Sequence, residues 1–369
     1  MRILSDRELT VALLARQLLL ERRRLPVSQA VQRLGALQAQ YSPSPYVVLH
    51  SRLDAFRPSD LEEALRRGRV VKSTLMRGTL HLVHGTDYAS FVAACLAQSC
   101  SRVPVPVPEG LPAEIAAFAA TPRTTDEIRE YVEPRIPPLP NGYDALNVAR
   151  AVTPLVHVPP SGYLAQHGKF SLTAARVPLP ADPAATALVV RRYLAAFGPA
   201  TRDDIAAFTY FRLRDLDAAL TLLQPLRRLT DGRGRDLLDL PRAPLPADDV
   251  ATPVRLLARW DAAVLSHRDR TRIVPAELTE HVVRRANGDF LPTVLVAGLV
   301  AGSWSHHVSR ERAVLTVRLL RGTAPAGLEA EAMRMLGLLA PAVASRAVGH
   351  RRYKPQALAH ALYAPDDAL

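Results

Sequence analysis

The sequence predicts an α+β protein of three tandem modules, each a few short helices closed by a β-hairpin, followed by a β-rich C-terminal unit. Signals for helix starts recur along the chain, with a hydroxyl residue three positions before a carboxylate. Pairs of short apolar strands around glycine-containing turns follow these helical stretches. Proline-rich joints at 103–112, 134–140 and 177–183 separate the successive units.

The first module, 1–102, begins with a leading helix at about 6–23, in which Val11, Leu14 and Leu18 form an apolar stripe. Its other predicted elements are helices at about 27–38, 44–54 and 59–67 and strands at 70–76 and 79–83 around Arg77-Gly78. The tetrapeptide Leu37-Gln38-Ala39-Gln40 is predicted to close one of these helices, with two neutral amides on either side of a small apolar residue.

Four helix starts match the capping box, in which a hydroxyl and a carboxylate satisfy backbone N–H groups of the first turn. They are Ser5 with Glu8, Ser59 with Glu62, Thr124 with Glu127, and Thr201 with Asp204. The last two lie in similar segments, 121–128 and 197–205, offset by 77 residues, which is close to the length of a winged-helix module. We therefore predict winged-helix modules at 103–183 and 184–250 as well as at 1–102.

The hairpins of the second and third modules follow the same pattern. Strands are predicted at 155–158 and 169–172, and again at 226–229 and 237–240 around a Gly-rich turn. The unit 251–369 differs: it has short strands, a helix at about 326–339 and a basic tail. Its predicted strands cover 289–296, 299–304 and 313–319, and its tail holds His350, Arg351, Arg352 and Lys354. A small β-barrel or curled sheet is expected there.

Composition points to a polyanionic partner. The 369 residues have a formal net charge of +12, and all but three of the 47 basic residues are arginine. Guanidinium groups bind phosphate through paired hydrogen bonds, which favours nucleic acid over a merely basic enzyme or a membrane-surface protein. No run reaches the roughly 18 apolar residues of a membrane span. The N-terminus lacks the apolar segment of a signal peptide, so a cytoplasmic location is expected.

Other chemistries find little support. Cys95 and Cys100 have the spacing of neither a zinc site nor a disulfide framework, and they are expected to be small core residues. His81 and His84 would face opposite sides of a strand, so no metal is expected. Motifs for nucleotide cofactors, phosphate loops and serine or metal hydrolases do not occur, and no cofactor is predicted.

Three longer stretches, 76–82, 191–200 and 260–270, together with Gln38-Ala39-Gln40, resemble the bacterial winged-helix DNA glycosylases that unhook interstrand crosslinks, the AlkZ-like family. The resemblance extends through nearly the whole chain. It implies three winged helices in a C shape, with Gln38 and Gln40 as the catalytic pair on the concave face. In the housekeeping branch of that family the second member of the pair is a carboxylate. Gln40 places this chain with the branch that gives self-resistance to azinomycin.

The residues allow a specific chemistry. An amide oxygen is a poor base, but it can hydrogen-bond a water molecule and fix its direction. An N7-alkylated guanine is already cationic and leaves as a neutral purine without a protonating acid. We therefore predict a monofunctional glycosylase, which hydrolyses at C1′ without a Schiff-base lysine. Lys72, Lys169 and Lys354 match no nucleophile motif, which agrees with this prediction. The competing interpretation is that the two glutamines merely cap the end of a helix.

DNA contacts are predicted at two basic clusters and one turn. The densest cluster is 266–272, where His267, Arg268, Arg270 and Arg272 are candidates for holding phosphates. The alternative is a solvated loop in which Asp261 and Asp269 pair with arginines. Arg77 would either follow the DNA backbone or brace its hairpin, and Arg310 and Arg312 would either probe a groove or lie in an exposed turn.

The predicted partner is double-stranded DNA carrying alkylation damage or crosslinks, held by a monomer with no membrane association. A second hypothesis is a non-catalytic winged-helix transcriptional regulator, which usually dimerises on a palindromic site. Three modules in one chain favour a monomer instead. A third hypothesis is a drug-sequestering protein, which would bind the free natural product without DNA.

Overall fold

The computed structural model describes residues 2–140, 142–166, 170–177, 183–284 and 288–352. It is a mixed α+β structure with several sheets. The first part of the chain contains strands β1 (Ile3–Leu4), β2 (Leu37–Gln38), β3 (Val70–Thr74) and β4 (Leu80–His84) and helices α1 (Asp6–Arg16), α2 (Val27–Arg33), α3 (Ser44–Arg52), α4 (Pro58–Arg66) and α5 (Tyr88–Cys100). A single 3-10 turn, Met76–Gly78, joins β3 to β4.

Two predicted helices in this region are shorter than expected. α1 ends at Arg16 because Leu18 adopts a left-handed backbone conformation with φ 56°. α2 ends at Arg33, since Gly35 has φ 84° and turns the chain out of the helix. The prediction that Leu37-Gln38-Ala39-Gln40 closes a helix is therefore wrong. Leu37 and Gln38 form β2, which pairs with β4.

Three of the four predicted capping boxes are confirmed, at Ser5, Thr124 and Thr201. The Ser59 box is wrong because Pro58 begins the helix, as proline often does at the first helical position. The Asp60 carboxylate there accepts a hydrogen bond from the backbone N–H of Arg57 at 3.1 Å. Ser59 lies inside the first turn instead of capping it.

The middle of the chain repeats the order of helices followed by a hairpin. Its first half holds α6 (Leu111–Phe118), β5 (Arg123–Thr124), α7 (Thr125–Val132), α8 (Ala145–Val152), β6 (Leu155–His157) and β7 (Ser171–Ala174). Its second half holds α9 (Ala184–Phe197), α10 (Arg202–Thr209), α11 (Leu213–Leu222), β8 (Arg227–Asp231) and β9 (Asp236–Asp239). All three predicted hairpins are confirmed in the described residues, β3–β4, β6–β7 and β8–β9.

The hairpins join larger sheets. β2, β4, β3, β6, β7 and β5 form one six-stranded sheet in that order, so the first two hairpins are continuous through the pair Ser73 and Val156. The Ser73 hydroxyl adds a hydrogen bond of 2.7 Å to the Leu155 carbonyl at this junction. β1 pairs in parallel with β8, which attaches the start of the chain to the third hairpin.

The last part of the chain contains β10 (Arg255–Leu257), α12 (Ala262–Leu265), α13 (Thr279–Val282), β11 (Val283–Arg284), β12 (Asp289–Phe290), β13 (Thr293–Val296), β14 (Leu299–Val308), β15 (Arg312–Leu319), α14 (Leu328–Leu339) and β16 (Ser345–Arg352). Five of these strands form an open sheet in the order β10, β13, β14, β15, β16. No pairing between its edge strands β10 and β16 closes it into a barrel within the described residues. The β-barrel expectation is corrected to an open, mixed sheet, whereas the predicted helix is confirmed as α14.

The predicted basic tail is also corrected in part. His350, Arg351 and Arg352 belong to β16, which pairs in parallel with β15, and Lys354 lies outside the described residues. A parallel partner fixes the backbone of these basic residues, so they are the end of a sheet and not a free tail.

Apolar side chains are buried in several clusters. One cluster joins α5, α9 and the helices of 200–223 to the segment 257–300, and a second joins 27–65 to the C-terminal sheet and α14. The second hairpin region, 100–174, has a core of its own. The proposed boundaries at 102, 183 and 250 stay predictions. No helix within the described ranges is long and apolar enough to span a bilayer.

Both cysteines lie in α5, as expected of small core residues. Cys95 is buried and Cys100 is half-buried, and both are free thiols.

Candidate active site

The glutamine pair lies at the edge of the six-stranded sheet. Gln38 is on β2 directly opposite His81 of β4, and the backbone N–H of Ala39 continues the pairing by donating to the Leu80 carbonyl at 2.7 Å. Gln38 is half-buried, Ala39 is buried and Gln40 is exposed. Successive side chains of a strand point to opposite sides, so the small buried residue anchors the segment between its two amides.

The Gln38 amide oxygen accepts a hydrogen bond from Nη2 of Arg77 at 3.3 Å. Because a guanidinium can only donate, this contact identifies the acceptor as the oxygen and fixes the orientation of the amide. The Gln40 amide oxygen accepts from the backbone N–H of Leu80 at 3.2 Å, which fixes its orientation in the same way. Each carbonyl oxygen has two lone pairs, so each retains capacity for a second donor such as water.

Arg77 contacts both Gln38 and helix α10, and it holds this arrangement in place. It occupies the turn between β3 and β4 with φ 59°, a left-handed conformation that costs free energy for a residue other than glycine. Its Nη1 donates to the carbonyl of Phe208 on α10, and its guanidinium lies 4.6 Å from the centroid of the Phe208 ring. Desolvation lowers the Arg77 pKa to about 10, so it stays cationic at neutral pH. Arg77 therefore braces its hairpin against α10 and positions Gln38.

His81 completes the same network. It is 1% exposed, its Nδ1 lies 2.9 Å from the Thr79 carbonyl and its Nε2 lies 3.4 Å from Nη2 of Arg77. Burial, with the Arg77 charge as the second cause, lowers the His81 pKa to about 3. The imidazole is therefore neutral, and it donates from Nδ1 to Thr79 and accepts from Arg77 at Nε2. No sequence pattern predicts this supporting role, because it depends on the register between two strands.

A cation with two aromatic rings follows the glutamine pair. The Arg259 guanidinium lies 4.6 Å from the ring centroid of Trp260 and 5.9 Å from that of Tyr41, the residue after Gln40. Two hydrogen bonds of 2.7 Å to the buried Asp289 carboxylate hold the guanidinium in place. This cluster is not predicted from the sequence, because Trp260 and Asp289 are far apart along the chain and come together only in the fold. The segment after Gln40 is thus fixed against the C-terminal unit.

The predicted phosphate cluster lies partly in the interior. His267 is 4% exposed, and its Nε2 lies 3.1 Å from the Phe197 carbonyl and 2.7 Å from Nη1 of Arg272. Burial, followed by the Arg272 charge, lowers its pKa well below the ordinary value, so the ring is neutral. Arg272 also donates to the Pro199 carbonyl at 2.8 Å. His267 is therefore buried away from solvent, whereas the half-buried Arg272 donates hydrogen bonds to the interior and braces this loop.

The other members of that cluster differ in exposure. Arg268 is exposed and pairs with Asp203 at 3.2 Å, an ion pair of small energetic weight at a surface. Arg270 is half-buried, and its guanidinium lies 4.9 Å from the Phe290 ring centroid. Asp269 pairs with Arg233 and Arg235, and Asp261 pairs with Arg52. The alternative in which Asp261 and Asp269 pair with arginines is therefore confirmed for these two carboxylates, and their partners lie outside the 266–272 loop.

The turn between β14 and β15 carries two further arginines that are predicted to contact DNA. Arg310 and Arg312 are both exposed there, at the end of two long paired strands. The Ser309 hydroxyl and the Arg312 backbone hydrogen-bond each other at 3.0 Å and make the turn tight. The structure thus brings Gln38, Gln40 and Arg77 together, whereas Arg310 and Arg312 lie in a separate element.

Two oriented amides, one half-buried and one exposed, thus lie at the edge of the six-stranded sheet. A model of the AlkZ-like family, described as DNA glycosylase AlkZ-like, matches residues 31–338. The chain therefore belongs to the AlkZ-like DNA glycosylase family, and it is a DNA glycosylase.

A solved structure, the DNA glycosylase AlkZ of Streptomyces sahachiroi, has a similar fold. The TM-score is 0.78 at 22% sequence identity, and the match covers 96% of this chain and 100% of that chain. At this identity the likeness concerns the fold alone. No curated protein matches the sequence significantly.

Proposed function

We propose that this glycosylase is monofunctional and hydrolyses the N-glycosidic bond of N7-alkylated purines, including bulky adducts and interstrand crosslinks from a DNA-alkylating natural product. Gln38 and Gln40 are its catalytic pair. The observation that supports this most directly is the orientation of both amides, whose oxygens are fixed by Arg77 and by the Leu80 N–H.

The substrate class follows from what an amide can and cannot do. Neither glutamine can protonate a leaving group or deprotonate water effectively. An N7-alkylated guanine needs no protonation, because its positive charge makes it leave as a neutral base. The C1′–N9 bond breaks, its electron pair leaves with the purine, and the deoxyribose passes through an oxocarbenium-like state that the partial negative charges of the amide oxygens stabilise. The water molecule that these oxygens hold near C1′ then bonds to C1′ through its oxygen and releases a proton to the solvent. A neutral, unalkylated purine gains no such help and is a poor substrate.

Fixed amides matter because the stabilisation must exist before the charge develops. A dipole that is already oriented costs no reorganisation during the reaction. Arg77, tied to Phe208 on α10, fixes Gln38 against rotation, and the paired backbone of β4 does the same for Gln40.

The scaffold suits a duplex lesion. We propose three winged-helix modules in a C shape that hold double-stranded DNA as a monomer, with Arg268 and Arg270 near the phosphates and the Arg310–Arg312 turn against a groove. His267 and Arg272 contribute by bracing the loop that carries Arg268. A crosslinked base cannot swing freely out of the stack as in ordinary base flipping, so the amides reach C1′ with the lesion still in the duplex.

The test is base release from a duplex with one defined N7-alkylguanine, beside an undamaged duplex, measured as strand breakage after alkali. Gln38→Ala and Gln40→Ala are each compared with Gln29→Ala, a matched change at an exposed glutamine of α2. We expect breakage at the lesion with wild type and Gln29→Ala. Each site variant should lose about 100-fold or more in single-turnover rate, and the double variant should lose base release altogether.

Retained excision in the Gln38→Ala/Gln40→Ala double variant would overturn the site. Breakage without alkali, accompanied by a borohydride-trapped covalent complex, would contradict the monofunctional chemistry. Tight binding of both duplexes with no release from simple or bulky adducts would favour the transcriptional regulator. Gel filtration adds a separate check, since a regulator of this kind is expected to be a stable dimer.

A further inference from the structure

A second site lies between the first and second hairpins, apart from the glutamine pair. A cavity of about 370 Å³ opens there, lined by residues of β3, β6 and β7 and the turns beside them. That volume falls in the range of small-molecule pockets. We propose that this cavity binds a small organic anion, with a carboxylate or phosphate head group beside Lys72 and an apolar body against its valine and alanine walls.

Lys72 is the first observation. It is 3% exposed and lies on β3, where it faces Leu82 across the strand pair. Among the described residues that line the cavity, none is Asp or Glu, so no carboxylate neutralises the amine. Its nearest aromatic partner is the Phe170 ring, 5.4 Å from Nζ. A buried ammonium without a counterion is unfavourable, and a bound anion removes that cost.

His157 is the second, independent observation. It is 7% exposed and lines the same cavity. Its Nδ1 lies 2.7 Å from the Ser161 hydroxyl, whereas its Nε2 is buried with no hydrogen-bond partner. When Ser161 donates to Nδ1, the proton of the neutral ring is on Nε2 and is available to an acceptor. An anionic ligand that accepts hydrogen bonds would satisfy both the buried N–H without a partner and the buried ammonium without a counterion.

The surrounding charge strengthens the preference for an anion. Arg176 lines the cavity and is exposed. The charge of Arg150 on α8 acts on both Lys72 and His157. Burial, with Arg150 as the second cause, lowers the Lys72 pKa to about 8, so near neutral pH much of the amine is still protonated. The apolar part of the lining, which includes Val71, Val156 and Ala174, accommodates a hydrocarbon body.

The site is separate from the glutamine pair, because neither glutamine nor Arg77 is among the described residues that line the cavity. Cross-strand partners share one face of a sheet, so Lys72 points with Leu82 away from the face of Gln38. Val71 and Val156 belong to the Gln38 face through the pair of Ser73 with Val156, so the cavity is lined from both faces beside β3. Binding at Lys72 therefore does not require the glycosylase reaction, and its test does not depend on the proposed substrate.

The chain has only three lysines, so side-chain amine resonances can be followed one by one after lysine-selective isotope labelling. The probes are phenyl phosphate and benzoate, with benzyl alcohol as the uncharged match, each titrated into the full-length wild-type protein to about 20 mM. We expect one or both anions to saturate a shift of the Lys72 resonance and to raise its pKa. Benzyl alcohol should leave both unchanged.

Variants separate the head-group contacts from adventitious binding. Lys72→Met keeps the length of an unbranched buried side chain and should weaken the anion at least about tenfold, and His157→Phe should weaken it less. Arg242→Ala, at an exposed position outside the cavity and without a proposed role in DNA binding, should bind the anion as wild type does. Equal binding of benzyl alcohol and benzoate would overturn the proposal. So would the absence of any Lys72 shift, or anion binding that Lys72→Met leaves intact.

Discussion

At the scale of single residues, the contacts of Arg77 decide between two roles for its side chain. A residue that follows the DNA backbone should contribute to affinity and to its salt dependence. A residue that positions Gln38 should contribute to the rate of the chemical step. Arg77 donates to Phe208 and to Gln38, so the geometry favours the second role.

We predict that Arg77→Lys lowers the single-turnover excision rate about 10- to 100-fold, because an ammonium cannot reach both partners of the guanidinium fork. The affinity for duplex DNA and its salt dependence should stay near wild type. Arg310→Ala is the comparison: it should weaken binding and reduce the slope of log K against log salt by about one. A reduced salt slope for Arg77→Lys with an unchanged rate would contradict the positioning role.

His81 supplies a pH dependence of stability. Its pKa is about 3 in the folded protein, against an ordinary value near 6.5, so the unfolded chain binds a proton that the folded chain does not. The contribution is complete above pH 6.5, and it is lost as the pH falls toward 3. The loss is at most about 1.4 kcal/mol per pH unit.

We therefore predict that His81→Gln is less stable than wild type at pH 7 but loses less stability on acidification. Urea unfolding at pH 7, 6 and 5 measures the difference, and carboxylates common to both proteins cancel from it. Parallel stability profiles for the two proteins would show that His81 does not account for this dependence. His50, whose pKa is also lowered to about 3 by burial, provides a second position for the same comparison.

At the scale of elements, the helix starts give a matched pair. The Thr124 hydroxyl accepts from the Glu127 backbone N–H at 3.2 Å, so it caps α7. Ser59 has the same sequence signature, yet it lies within the first turn of α4 after Pro58. Thr124→Ala should lower the free energy of unfolding by about 1 kcal/mol, and Ser59→Ala should change it by less than about 0.5 kcal/mol. Chemical denaturation measures both, and equal losses would contradict this assignment of the caps.

The same elements explain what sequence could predict. The three hairpins depend on glycine turns and alternating apolar residues, which are local signals, and all three were found. β2 is two residues long and exists because β4 pairs with it, so nothing near Gln38 specifies it. The helix predicted there is too long because Gly35 adopts a left-handed backbone conformation, which ends the helix before Leu37. The prediction for Leu37-Gln38-Ala39-Gln40 was therefore wrong about the element, and the catalytic role of the two glutamines stays a prediction.

Contacts distant in sequence account for the rest. Arg77 and Phe208 are 131 positions apart, and no local pattern pairs them. The arginines at 266–272 are predicted from sequence to be a surface, but Arg272 donates to the Pro199 carbonyl in the interior. A guanidinium carries five N–H donors and suits such contacts better than an ammonium does. The count of basic residues predicts a polyanionic partner. It does not distinguish an arginine that hydrogen-bonds inside the protein from one that binds a DNA phosphate.

At the scale of the whole molecule, two buried ion pairs connect parts that are far apart in the chain. Arg16 of α1 pairs with Asp239 of the third hairpin at 2.7 Å. Arg52 of α3 pairs with Asp261, just before α12, through bonds of 2.7 and 2.9 Å, with both side chains fully buried. These links fix the N-terminal helices, which flank the glutamine pair, to the third hairpin and the C-terminal unit.

A buried pair is costly to break because the remaining charge has no partner and no water. We predict that Arg52→Met and Asp261→Asn each lower the free energy of unfolding by about 3–5 kcal/mol. The double variant should be more stable than the sum of the two losses implies, by about 1–3 kcal/mol, since it leaves no uncompensated charge. Asn keeps an acceptor for the Ala263 backbone N–H that Asp261 binds at 3.0 Å, so the start of α12 is preserved. Denaturant unfolding of all four proteins measures this coupling, and the exposed pair of Arg66 with Glu63 is the control, with a coupling below about 1 kcal/mol. Strictly additive losses at Arg52 and Asp261 would mean that the two side chains stabilise the protein separately. The attachment of the N-terminal helices to the C-terminal unit would then depend on the apolar cluster between them and on other polar contacts, such as the pair of Arg22 with Glu331.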